Sequence, residues 1–135
     1  MKIYDCTTYF NEPLIMDVRF NILNEHVTKF IIVESAYSHS GEKKKINFDK
    51  NLYPQLKKKI NFDKNLYPQF KDKIEHIIID KEPENILDID NADIDINKRT
   101  NSILRISLQR NEALKACKEA SEEDYIFYSD NDEIP

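Results

Sequence analysis

Four short apolar runs divide the chain, and each of them ends at a polar residue. The runs are Lys2–Phe10, Phe30–Val33, Ile74–Ile79 and Tyr125–Tyr128. They are rich in β-branched and aromatic residues, which favour strands. Stretches with helical spacing separate them, and continuous apolar strands between helices are typical of a parallel sheet that is buried on both faces. The pattern predicts an α/β fold with a mostly parallel sheet.

The first helix is predicted just after the first strand. Asn11 is a suitable helix cap, and Pro13 suits the first turn. Leu14, Val18 and Ile22 follow at a spacing of four residues, which places them on one helical face.

The second helix is predicted over residues 101–120. One stripe recurs along it at steps of three and four residues: Ile103, Ile106, Arg110, Ala113, Cys117 and Ala120. Arg110 is the charged member of that stripe. Because a buried guanidinium needs a partner, we expect Arg110 either to be paired or to point into a site.

A tandem duplication lies between the second and third strands. Residues 43–56 and 57–70 differ only in their last residue. Each copy contains a proline, so the pair cannot form one continuous helix. We expect the duplicated segment to be a surface excursion, where extra chain costs little. Its lysine triplets could hold phosphate, although a solvated basic face is the simpler interpretation.

Composition and charge narrow the class of protein. The chain has 135 residues, of which 40% are hydrophobic and 33% charged, as in a single folded domain. Its net charge of -5 argues against nucleic acid as a partner. Cys6 and Cys117 match no metal spacing and are expected to be reduced core residues. No membrane segment or signal peptide is evident, so we expect a cytoplasmic location.

Three Asp-x-Asp patterns occur, and their context separates them. Two, Asp88-Ile89-Asp90 and Asp93-Ile94-Asp95, lie in an acidic stretch at residues 82–98 that lacks calcium-loop spacing. We expect that stretch to be a solvated loop. The third pattern, Asp130 and Asp132, directly follows the last predicted strand, at the end of the sheet where open α/β folds bind ligands.

Two carboxylates one residue apart can hold a hard divalent cation that keeps positions open for phosphate oxygens. Arg110, on the helix before that strand, could help to neutralise a diphosphate leaving group. An acidic turn with Arg110 in a salt bridge is the alternative, and the residues alone leave both open.

A series of short stretches adds to this picture. In chain order they are Ile3–Cys6, Phe10–Glu12, Arg19, Lys29–Ser35, Ser40–Gly41, Gln109–Asn111 and Ser129–Pro135. These stretches resemble glycosyltransferase family 17, the β-1,4-mannosyl-glycoprotein 4-β-N-acetylglucosaminyltransferases with their bacterial and viral relatives. They follow the order of the family and cover the whole length of the chain. The last stretch is the most specific.

The resemblance implies a GT-A, Rossmann-like nucleotide-sugar-binding half. It also implies metal-dependent, inverting transfer of GlcNAc from UDP-GlcNAc, in β-1,4 linkage, to a mannose-containing or related glycan. Asp130 and Asp132 would ligate Mn²⁺ or Mg²⁺. The implied donor-binding residues are Asn11, Glu12, Glu34, Arg110, Asn111 and Asp130. A helix cap for Asn11 and a strand-end ion pair for Glu34 remain open alternatives.

Family members continue beyond the position of Pro135, so we expect residues 1–135 to be the first part of a longer domain. The acceptor-binding half and the catalytic base would follow it. A remnant that binds at most metal and UDP is one alternative, and a GT-A transferase with another donor sugar is a second. An incomplete sheet would leave the 125–128 strand with an open edge, through which copies could associate.

Overall fold

The computed structural model describes residues 1–44, 70, 72–90 and 93–135. In chain order, the elements of this part are β1 (Ile3–Thr8), α1 (Pro13–Leu23), β2 (Lys29–Ser35), β3 (Ile74–Ile79), α2 (Ile94–Ala116) and β4 (Tyr125–Ser129). The strands pair in the order β3-β2-β1-β4, and every pairing is parallel. The predicted α/β fold with a parallel sheet is confirmed.

The strand order reverses between β1 and β4. The chain moves outward from β1 through β2 to β3, and then returns through α2 to place β4 on the other side of β1. Thr7 of β1 lies beside Ser129 of β4, so the two strands end at nearly the same level. In open parallel sheets, such a reversal leaves a crevice outside the carboxyl ends of the strands, where ligands bind.

The two faces of the sheet bury separate apolar clusters. Alternate residues of a strand point to opposite faces, so Phe30 and Ile32 pack with α1 whereas Ile31 and Val33 pack with α2. We call these sides the α1 face and the α2 face. Phe20 is the centre of the α1 face, 4.8 Å edge-on from Phe30 between ring centroids.

Leu14, Val18 and Ile22 share one face of α1, as predicted, and that face is exposed. The buried residues are Met16, Arg19, Phe20 and Leu23. The helix is apolar on most sides, so spacing alone did not select the buried side. Its N-cap is Glu12 rather than Asn11, and Pro13 is the first helical residue, as predicted.

The predicted stripe of α2 is wrong over its first half. Ile103 and Arg110 are exposed, and the residues buried along the helix are Asn101, Arg105, Gln109 and Ala113. The helix also begins earlier than predicted, at Ile94, so Asp93 is its N-cap and Asp95 lies in its first turn. An acidic side chain there is favourable near the positive end of the helix dipole.

Cys6 and Cys117 are both buried, as predicted, and their Sγ atoms lie 3.6 Å apart on the α2 face. Burial raises the pKa of each thiol above its ordinary value of 9.0. Both side chains therefore behave as apolar core groups at neutral pH.

β4 is an edge strand of the described sheet, and Tyr125, Ile126 and Phe127 are exposed on it. Association of copies through this edge stays a prediction. No helix in the described part of the chain combines the length and the apolar character that crossing a bilayer requires.

The duplicated segments 43–56 and 57–70 lie mostly outside the described residues, so their placement on the surface stays a prediction. Their two ends are described. Lys44, near the start of the first copy, reaches the carboxyl ends of β1 and β2. Phe70, the last residue of the second copy, is 1% exposed in the α1-face cluster.

Candidate functional site

A cleft of about 440 Å³ opens at the carboxyl ends of β1, β2 and β4. Its lining comes from the end of β1 and the segment after it, the end of β2 and the loop after it, α2 and the loop after β4. The residues that line it are Thr8, Tyr9, Phe10, Glu12, Ser35, Tyr37, Ser38, His39, Ser40, Lys44, Ser102, Gln109 and Asn131. Of the predicted site residues, only Glu12 lines the cleft.

The loop after β4 forms one rim of the cleft. The Glu133 amide donates a hydrogen bond to the Asp130 carbonyl at 3.0 Å, which closes a tight turn. Asn131, between the two aspartates, lines the cleft, and the side chains of Asp130 and Asp132 are exposed on either side of it. The carboxylates are therefore open to a ligand at this rim.

Glu12 joins the segment after β1 to this loop. Its Oε2 accepts a hydrogen bond of 2.6 Å from the Asn131 side chain, and others from the amides of Phe10 and Asn11. One carboxylate oxygen thus ties the segment after β1 to the loop after β4. The sequence predicted Glu12 as a site residue but not this bridging role.

Glu34 is the penultimate residue of β2 and is fully buried. Its carboxylate lies 3.9 Å from Lys44 Nζ and 3.3 Å from His76 Nε2. Lys44 in turn lines the cleft and lies 4.6 Å above the Phe10 ring. Burial lowers the pKa of Lys44, while the charge of Glu34 opposes that shift. Glu34 therefore forms the strand-end ion pair that was the alternative to direct donor contact. Its partner Lys44 faces the cleft, whereas the sequence analysis favoured a solvated basic face for this lysine.

Arg110 lies outside the cleft lining. Its guanidinium is 5.1 Å from the centre of the Tyr128 ring, near the end of β4. Burial raises the pKa of Tyr128, and the charge of Arg110 opposes that shift. Arg110, Asn111 and Asn11 are all exposed. The structure therefore places Arg110 near the end of β4 but not in contact with the loop carboxylates.

The opposite rim, the loop after β2, is held by Arg105. Its guanidinium pairs with Glu82 at 2.8 and 2.9 Å and donates to the His39 carbonyl at 3.0 Å. Gly41 packs on this guanidinium with a φ of 93°. Sequence reasoning assigned no role to Arg105 or Gln109, because both are polar side chains on the buried face of α2, opposite to the expected pattern.

Asp130 and Asp132 suit a divalent cation in chemistry, since carboxylate oxygens are the ligands that Mg²⁺ and Mn²⁺ prefer. Among the described residues, no group of three His, Cys, Asp or Glu side chains converges to hold a metal. The two carboxylates could therefore supply part of a coordination shell, which phosphate oxygens and water would complete. Asp88 and Asp90 are not among the residues that line the cleft. The Asp88 side chain accepts a hydrogen bond from the Asp90 amide.

A sequence model of glycosyltransferase family 17 matches residues 1–135. The chain belongs to glycosyltransferase family 17. This membership places it among the enzymes that transfer sugars, in agreement with a ligand cleft at the strand-order reversal of a parallel sheet. No curated protein and no solved structure is significantly similar to the chain.

Proposed function

We propose that this family 17 chain binds UDP-GlcNAc in the cleft with a divalent cation, and that it serves inverting, β-1,4 transfer of GlcNAc to a mannose-containing glycan. Family membership supports sugar transfer, and the donor, linkage and stereochemistry rest on the sequence resemblance. The observation that carries the location is the 2.6 Å hydrogen bond between Asn131 and Glu12. It joins the loops after β4 and β1 where the strand order reverses.

Four charged residues would act near the diphosphate of the donor. Asp130 and Asp132 would hold Mn²⁺ or Mg²⁺, which when bound neutralises the leaving diphosphate. Arg110, exposed at the end of β4, is available to approach the same phosphates. Lys44 adds a positive charge on the cleft side of the site. We assign no catalytic base among the described residues.

The cleft itself suits the nucleoside. Tyr9, Phe10 and Tyr37 offer aromatic surface against which a uracil ring can stack. Hydroxyl groups of Ser38 and Ser40, 2.8 Å apart, can bond to ribose. Asn11 at the exposed mouth can contact the donor directly, whereas Glu34 acts through Lys44 because its own carboxylate is buried.

Ligand-dependent stabilisation tests this function. A ligand that binds only the native state raises its stability by about 2.7 kcal/mol at a hundredfold excess over Kd. We expect Mn²⁺ and UDP together to raise the thermal unfolding temperature saturably, and each alone to do so less. Asp132→Ala should abolish the joint response.

Asp90→Ala is the matched control, because it removes a carboxylate from an Asp-x-Asp pattern outside the cleft. It should respond as the wild type does. Equal behaviour of the two variants would show that the wrong aspartates were assigned. Replacing UDP with other nucleotides, and UDP-GlcNAc with other UDP-sugars, would separate this donor from the alternatives.

A further inference from the structure

Arg19 is a fully buried charge in the middle of α1. Its Nε and Nη2 donate to the two carboxylate oxygens of Asp5 on β1, at 2.7 and 2.6 Å. The pair is therefore bidentate and hidden from water. A buried pair of this kind is weak evidence for stability, because desolvating the two charges offsets their attraction.

The other contacts of the guanidinium go to the last residue of β4 and to the loop that follows it. Nη2 donates to Ser129 Oγ at 2.7 Å. Nη1 faces three main-chain carbonyls, those of Asp130 at 3.1 Å, Asn131 at 3.4 Å and Glu133 at 3.1 Å. One side chain thus binds three backbone carbonyls of the loop that carries Asp130 and Asp132, and the Ser129 hydroxyl beside it.

The hydrogen bonds from Arg19 fix the backbone of the loop after β4 in one orientation. Carbonyls that accept hydrogen bonds from Arg19 leave the loop backbone little freedom to rotate, while Asp130 and Asp132 themselves are exposed. Asp5 also cancels the charge of Arg19. The guanidinium can therefore supply hydrogen-bond donors beneath a cation site without repelling the cation.

We propose that Arg19, fixed by Asp5, is a positioning residue for the Asp130–Asp132 metal loop. This inference rests on the proposed function, since it assumes that those carboxylates bind a divalent cation. Groups that orient metal ligands without touching the metal typically change its affinity by about 10- to 100-fold when replaced. Lysine keeps the positive charge of Arg19 but cannot present donors in the same planar fork.

The test measures the Mn²⁺ dissociation constant by calorimetry on the whole chain, for wild type, Arg19→Lys and Arg105→Lys. Arg105 is the matched control, because it is also a mostly buried guanidinium with a bidentate carboxylate partner, but it holds the loop at His39. We expect Arg19→Lys to weaken Mn²⁺ binding about 10- to 100-fold. Arg105→Lys should bind Mn²⁺ as the wild type does, even if both variants lose thermal stability.

Equal Mn²⁺ affinity in Arg19→Lys and wild type overturns the positioning role and leaves the proposed function intact. Equal weakening in both lysine variants also overturns it, because a general loss of rigidity would then explain the effect. Absence of Mn²⁺ binding in the wild type overturns both proposals. If Arg19→Lys does not fold, Ser129→Ala replaces it. That variant removes one acceptor of Arg19 and keeps the Asp5 pair, and it should weaken Mn²⁺ binding measurably, with unchanged binding counting against the role.

Discussion

The two faces of the sheet each bury one apolar cluster and one arginine–carboxylate pair. On the α1 face, the side chains of Arg19 and Asp5 are 0% and 1% exposed. The pair next to the α2 face is more open to water, since the side chains of Arg105 and Glu82 are 9% and 29% exposed. Both guanidiniums donate to main-chain carbonyls of loops at the carboxyl end of the sheet.

Each arginine–carboxylate pair holds the loop at a different rim of the cleft. Arg19 holds the loop after β4, with the candidate metal ligands, and Arg105 holds the loop after β2, beside the proposed nucleoside site. Breaking the more deeply buried pair should therefore cost more stability and should also weaken metal binding. The more exposed one should govern the local shape of its rim.

The largest effect is expected from Arg19→Met. The change leaves Asp5 as an unpaired charge in the interior, and breaking a buried pair in this way costs about 3–5 kcal/mol. In Arg105→Met, water can still reach Glu82, so the loss should be smaller, about 1–3 kcal/mol. Urea unfolding followed by circular dichroism gives both free energies of unfolding.

Arg19→Met combined with Asp5→Leu is the control for that comparison. Removing both charges should recover much of the lost stability, because apolar replacements of a buried pair are often neutral. Equal losses in the two methionine single variants would contradict the distinction between the faces.

An intermediate effect is expected from Gly41→Ala, which acts on the Arg105 side alone. The φ of Gly41 is 93°, and an added Cβ would lie 2.5 Å from Arg105 Nη2. Backbone strain of this kind costs about 1–3 kcal/mol, with the clash adding to it. Thermal unfolding should show a loss in Gly41→Ala, while the neighbouring exposed Ser40→Ala stays within about 0.5 kcal/mol of wild type.

The same substitution in an Arg105→Met background isolates the clash. There the cost of Gly41→Ala should fall to the backbone strain alone. An unchanged cost would show that the guanidinium is not pressed against this glycine.

The smallest effect concerns the thiols of the α2 face. Burial raises the pKa of Cys6 in the folded state, so its stabilising contribution is complete below the unfolded value of 9.0 and is lost as the pH rises above it. At pH 9.5 the loss from Cys6 should be about 0.8 kcal/mol. The free energy of unfolding, measured with urea between pH 7 and pH 10, should fall less steeply for Cys6→Ala than for wild type. Parallel curves would contradict the raised pKa of Cys6.

The fold was largely predictable because its strands are short apolar runs that end at polar residues. β3 has the predicted bounds, Ile74–Ile79, and the other strands differ from prediction by one or two residues at their ends. The buried faces of the helices were not predictable by the same rule. Helical periodicity assigns apolar residues to the core. Arg19 and Arg105 can be buried because each pairs with a carboxylate, 14 and 23 residues away along the chain.

The candidate site was predictable only in its position. Asp130 and Asp132 follow a strand, and the parallel sheet places that strand end beside the end of β1. The role expected of Arg110 came from a helical stripe that is exposed at Ile103 and at Arg110 itself. The contacts of Arg19 could not be read from the sequence, since its acceptors in the loop are mostly carbonyls and every residue type has one.

Paramagnetic broadening of amide signals by Mn²⁺ tests the location of the metal site most directly. In a proton–nitrogen correlation spectrum of the whole chain, substoichiometric Mn²⁺ should broaden signals from the loop at residues 129–133 first. The signals of Asn11 and Glu12 should follow, because Glu12 is bonded to that loop. Broadening centred on residues 88–95, with the 129–133 loop unaffected, would contradict the account.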